Sequence, residues 1–91
     1  MTYPIDLVIE DIRGWDFQLQ ATIDEREEYI YTNIGRQKIS VIYVKDIYIY
    51  GMRRTWDGWF KVNTPFRKKM ARYFEKKWFD DIVEQIYRVM E

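Results

Sequence analysis

From Trp15 to Ile23 apolar and polar residues alternate without a break, with Trp15, Phe17, Leu19, Ala21 and Ile23 on one face and Asp16, Gln18, Gln20 and Thr22 on the other. A period of two with one apolar face predicts a half-buried strand. Ile5–Asp11 alternates in the same way, with Ile5, Leu7 and Ile9 set against Asp6, Val8 and Glu10, and Arg13-Gly14 supplies the turn between the two. Asp24–Glu27 is charged and reads as a turn, Glu28–Thr32 as a further strand, and Asn33-Ile34-Gly35-Arg36 as a hairpin tip. Lys38–Val44 and Ile47–Arg54 are rich in β-branched and aromatic residues, and Lys45-Asp46 between them reads equally as a turn or a bulge. Trp56-Asp57-Gly58-Trp59 carries Asp-Gly between good strand formers, which predicts a type I′ hairpin closed by Phe60, Lys61 and Val62.

The period then changes. Thr64-Pro65 is an N-cap followed by proline at the first helical position, and no glycine or proline follows, so one long helix is expected over about residues 65–90. Its apolar stripe does not run straight. Phe66, Met70, Tyr73 and Phe74 share one face in the first half, opposite Lys68, Lys69, Arg72 and Lys76, whereas Trp78, Phe79, Ile82, Val83, Ile86, Val89 and Met90 spread over a much wider face in the second. A bend near Lys77, or cover from two sides, would reconcile the halves. The expected fold is therefore α+β: an antiparallel meander of five to six short strands and one C-terminal helix packed on one sheet face, in a single domain spanning residues 1–91. This order is similar in outline to single-stranded-DNA-binding cofactors built from a meander and one helix. No residue motif of that family is present, so no functional residue is carried over.

Composition narrows the chemistry. The chain has no histidine and no cysteine, which removes the usual ligands of zinc, copper and non-haem iron and the base of triad hydrolases. There is no phosphate-binding glycine loop, dinucleotide fingerprint or nucleophile elbow, and an enzyme, a metal or a cofactor is not expected. The paired acids Glu10-Asp11, Asp24-Glu25, Glu27-Glu28 and Asp80-Asp81 lack metal-ligand spacing. Glu75-Lys76-Lys77 matches a nuclease-like Glu-x-Lys pattern but sits in a predicted helix, which points its two ends apart. The N-terminus has no secretory character and no run approaches a membrane span, so a cytoplasmic protein is expected.

Net charge is zero, yet residues 1–36 hold eight acids against three bases, and residues 52–77 hold nine bases against two acids. Tyr48–Lys77 also holds eight of the seventeen aromatic residues. Alternation places Tyr48, Tyr50, Met52, Arg54, Trp56, Trp59 and Lys61 on one face of the predicted hairpin, and Ile47, Ile49, Gly51, Arg53, Phe60 and Val62 on the other. Trp56 would then face Trp59, and Arg54 would face Lys61. Rings beside cations suit stacked bases and a phosphate backbone, and the same composition also describes a packed β-surface. The candidate nucleic-acid-binding set is Tyr48, Tyr50, Arg53, Arg54, Trp56, Trp59, Lys61, Lys68, Lys69, Arg72 and Lys76. The alternative is a protein-interaction module, such as a phage or mobile-element accessory or inhibitory factor acting on a host protein. The wide helix face adds a candidate homodimer interface at Trp78, Phe79, Ile82, Val83, Ile86 and Met90.

Overall fold

A computed structural model describes residues 1–90. One antiparallel sheet has strands in the order β1 (Thr2–Ile12), β2 (Trp15–Thr32), β3 (Gly35–Arg54) and β4 (Phe60–Lys61), followed by helices α1 (Pro65–Lys77) and α2 (Phe79–Met90). The α+β class and the meander agree with the sequence pattern. The number of strands and the single helix do not.

The predicted turn at Asp24–Glu27 is absent, and Lys45-Asp46 takes the bulge rather than the turn of its two expected forms. Asp24–Glu27 continues β2 by pairing with β3, and because β1 ends opposite Asp24 the strand becomes mostly exposed from Arg26 onward, where charged side chains fit an extended chain. At Lys45 the register steps from Thr22↔Asp46 to Ile23↔Val44, leaving Lys45 without an opposite residue, which makes this position a bulge. Four short strands thus merge into two long ones. Past Asp24 they leave the body as a two-stranded ribbon ending at the Thr32–Gly35 turn, where Gly35 takes φ +113°, a backbone state that suits glycine. The ribbon draws the molecule out to 53 × 23 × 19 Å.

The strict alternation of β2 becomes the floor of the core. Phe17, Leu19, Ala21 and Ile23 are fully buried, together with Ile9, Ile49, Met52, Ala71, Ile82 and Ile86 from the other elements. Each large aliphatic or aromatic side chain enclosed this way contributes about 1.5–3 kcal/mol. Phe74 is the hub of the aromatic packing. Its ring stacks on Trp78 at 4.3 Å and meets Trp15 at 5.3 Å and Phe17 at 6.1 Å.

Thr64 caps α1, its hydroxyl accepting from the Arg67 N–H at 3.2 Å, with Pro65 next as the sequence requires. The helix breaks at Trp78, whose φ −112° and ψ 24° leave the helical region. Two backbone bonds hold the chain across the break: the Trp78 N–H reaches the Phe74 carbonyl and the Trp78 carbonyl receives the Ile82 N–H, both at 2.9 Å. This break lets the wide apolar half turn onto the sheet. Asp80 and Asp81 then lie in the first turn of α2, beside the positive end of its dipole. No helix among the described residues is long and apolar enough to cross a membrane.

Candidate nucleic-acid interface

A second bulge decides where the basic aromatic residues point. Gln18 pairs with Gly51 but Leu19 with Ile49, so Tyr50 is the extra residue and the alternation of β3 inverts there. Met52 joins Ile49 against the helices and is fully buried, while Gly51 and Arg53 move to the open sheet face. The seven residues expected on one face are thus divided between both. Gly51 was the available signal, because a glycine inside a strand often marks a bulge or a close approach. A Cβ at this position would overlap the Gln18 side chain.

The Trp turn also differs from its expected form. Gly51 pairs with Lys61 and Met52 with Phe60, so residues Thr55–Trp59 form a longer connection, and neither Trp56–Trp59 nor Arg54–Lys61 is a cross-strand pair. The Asp57 N–H bonds the Arg54 carbonyl at 2.9 Å, and the third residue of that turn, Trp56, sits at φ +78°. Its side chain is 96% exposed. A bulky residue held in the left-handed region costs roughly 1–2 kcal/mol relative to ordinary backbone, and here packing returns nothing. Trp59 instead lies half-buried against the Arg53 guanidinium, 4.4 Å from its ring.

Several predicted contact residues are committed inside the protein. Arg53 donates through Nε to Asp16 Oδ2 at 2.8 Å, and the other oxygen of the almost fully buried Asp16 accepts the Asp11 N–H at 2.9 Å. Burial alone raises the Asp16 carboxyl pKa, but the Asp11 N–H and Arg53 together outweigh it and hold it below the ordinary aspartate value. Tyr50 reaches Asp6 across the open face, and its hydroxyl pKa rises, first through burial and then through that carboxylate.

Arg72 bonds the Ile49 carbonyl at 2.7 Å, Glu75 receives the Ile49 N–H at 2.7 Å, and the two side chains meet at 3.1 Å. Because β4 is only two residues long, the outer edge of β3 has no strand at Ile49, and these side chains take its place. The Arg72 guanidinium also covers the Tyr48 ring at 4.1 Å. Burial raises the Glu75 pKa, opposed in part by the Ile49 N–H and Arg72. Arg54 lies over the Trp15 ring at 4.8 Å, at the rim of the core.

What stays open is the outer face of α1. Met70, Ala71 and Phe74 turn inward, whereas Phe66 is 74% and Tyr73 55% exposed, interleaved with exposed Lys68, Lys69, Lys76 and Lys77. This splits the apolar set read from the sequence, because Phe66 and Tyr73 face water. Lys77 donates to the Tyr73 hydroxyl at 3.2 Å. Arg67 lies over Phe60 at 4.7 Å and reaches the Lys61 carbonyl at 3.4 Å, joining the end of β4 to the first turn of α1. The only acid of α1, Glu75, faces the sheet edge.

The proposed dimer residues fall otherwise. Ile82 and Ile86 are fully enclosed by the chain's own sheet, Trp78 and Met90 pack against the same core, and Phe79 and Val83 are half-buried. Turned inward by the break at Trp78, Ile82 and Ile86 are not available to a second copy. Near the Trp loop a cleft of about 520 Å³ is lined by Glu10, Asp11, Asp16, Arg53, Thr55, Trp56 and Asp57. Among the described residues no three acids are grouped so as to hold a metal ion. No protein family, curated protein or solved structure matches this chain.

Proposed function

We propose that the chain is a small non-enzymatic binding protein that takes single-stranded nucleic acid along the outer face of α1. One observation carries this reading: two exposed rings, Phe66 and Tyr73, stand among four lysines that form no ion pair among the described residues, on a helix whose single acid is turned away. Bases stacking on such rings contribute ~1–3 kcal/mol each, and the lysines suit phosphates. Arg67, Lys68 and Lys69 also crowd the positive end of the helix dipole with no acid in the first turn, a repulsion that a polyanion would relieve. Lys61 extends the track from β4. Arg53, Arg72 and Tyr50 act indirectly, by fixing the sheet to which α1 is docked.

Fluorescence anisotropy of labelled single- and double-stranded oligonucleotides tests it. With about four phosphates neutralised, single-strand affinity should fall by roughly 50-fold between 50 and 200 mM salt. Lys69→Glu with Tyr73→Ala should abolish binding, and absence of binding at low salt sinks the proposal. A second reading, a protein-interaction module, is favoured by Trp56, a strained and exposed ring beside the acidic cleft. Trp56→Ala separates the two, since it should leave oligonucleotide binding intact if α1 is the contact surface.

A further inference from the structure

Apart from the two-residue β4, the sheet has three free edges among the described residues, and two of them are guarded. On β1 the edge carries Pro4 and a bulge where Asp11 takes φ +59°. Beyond Asp24 the outer edge of β2 carries Glu25, Glu27 and Glu28, which repel a like strand. The outer edge of β3 is guarded only in part. Glu75 and Arg72 fill it at Ile49, and the Tyr87 hydroxyl meets the Val44 N–H at 3.4 Å. From Arg36 to Tyr43, among the described residues, no group bonds to it. That stretch has no proline, glycine or acid and includes Ile39, Val41 and Ile42, a sequence suited to pairing and left without the devices used elsewhere in the same chain.

We infer that this edge pairs with the same edge of a second copy, antiparallel about a two-fold axis at Ser40. The Val44 N–H points outward, so the period of two turns the backbone groups of Ile42, Ser40, Lys38 and Arg36 outward as well. With Ser40 opposite its own equivalent, Lys38 falls opposite Ile42, so the outward groups from Lys38 to Ile42 meet outward groups, and Arg36 falls opposite Val44, whose N–H the Tyr87 hydroxyl already engages; no cation faces a cation. A register centred on Lys38 would set two lysines against each other. On the face away from the helices the chosen register sets Ile39 against Val41 twice, and β-branched pairs of this kind stabilise sheets. The marginal two-stranded ribbon becomes part of a continuous sheet of both copies.

Sedimentation equilibrium of the full chain should show a reversible dimer. Ser40→Pro removes an outward N–H without touching the β2–β3 ladder, and should weaken dimerisation about thirty-fold while leaving circular dichroism unchanged. Ile39→Lys and Val41→Glu should each weaken it, and combining them should restore it, because each new cation then faces a new anion. The natural chain has no cysteine, so Ser40→Cys can be read cleanly. It should form an intermolecular disulfide on oxidation, the two Cα atoms being about 5.5 Å apart, whereas Arg36→Cys should not. A monomer at every concentration overturns the proposal and leaves the edge to a strand of another protein. Larger species would overturn it in favour of head-to-tail pairing of β3 with the acidic edge of β2, and a dimer untouched by Ser40→Pro would also overturn it.

Discussion

Removing the Asp16 carboxylate should cost about a third of this protein's stability. Asp16→Ala deletes two charge-assisted hydrogen bonds, from the Asp11 N–H at 2.9 Å and Arg53 Nε at 2.8 Å, and leaves both donors without that acceptor. Breaking a buried ion pair from one side costs roughly 3–5 kcal/mol. The Arg53 side chain keeps 28% of its surface in water and retains the Trp59 ring, so part of its charge is resolvated and ~2–3 kcal/mol is the better expectation. A chain of this length has of order 5–14 kcal/mol in total. In urea, with a slope of about 1–2 kcal/mol/M, the midpoint should fall by roughly 1.5–2 M, read by tryptophan fluorescence.

Acid should erase the difference between the variant and the parent. The folded pKa of Asp16 lies below its unfolded value, so its contribution is complete above about pH 4 and is lost as pH falls through the folded value. A double-mutant cycle with Arg53→Ala should return a coupling of about 1–2 kcal/mol. A loss under about 0.5 kcal/mol, or a gap that survives at low pH, would refute the assignment of stability to this pair.

Two further outcomes test the edges of β3. Gly51→Ala should cost about 1–3 kcal/mol in urea unfolding because the new methyl overlaps Gln18, and Gln18→Ala in the same chain should recover most of it. Glu75→Ala should cost ~1–3 kcal/mol by orphaning the Ile49 N–H, with Glu75→Gln milder near neutral pH, since Gln keeps an acceptor for that N–H and the burial that raises the Glu75 pKa means that ionising it costs folding stability as pH rises. Equal losses for Ala and Gln would contradict the hydrogen-bond account.

What could be read from residues alone follows from how local each feature is. The alternation of Trp15–Ile23, the Thr64-Pro65 helix start and the mismatch of the two helical stripes are local patterns, and they appear as the core strand, the capped α1 and the break at Trp78. The bulges at Lys45 and Tyr50 are properties of pairing between strands, and each inverts every face beyond it. Lys68, Lys69 and Lys76 were legible as an exposed row because helical spacing alone sets it. Arg53 was not, because its partner Asp16 lies 37 residues away, and Arg72 was not, because its task depends on β4 stopping short.

The long hairpin also dictates an order of events during folding. Its turn at Thr32–Gly35 lies at the solvent-exposed end of the ribbon, whereas the Phe17–Met52 pair that anchors the core is separated by 35 positions. Zippering outward from the turn would add rungs with little apolar reward, so the chain gains more by closing the large loop first, at an entropic cost of roughly 3 kcal/mol. The ribbon then assembles last and opens first. Its amides should exchange with solvent through excursions far smaller than global unfolding, while those around Phe17 wait for the whole molecule to come apart.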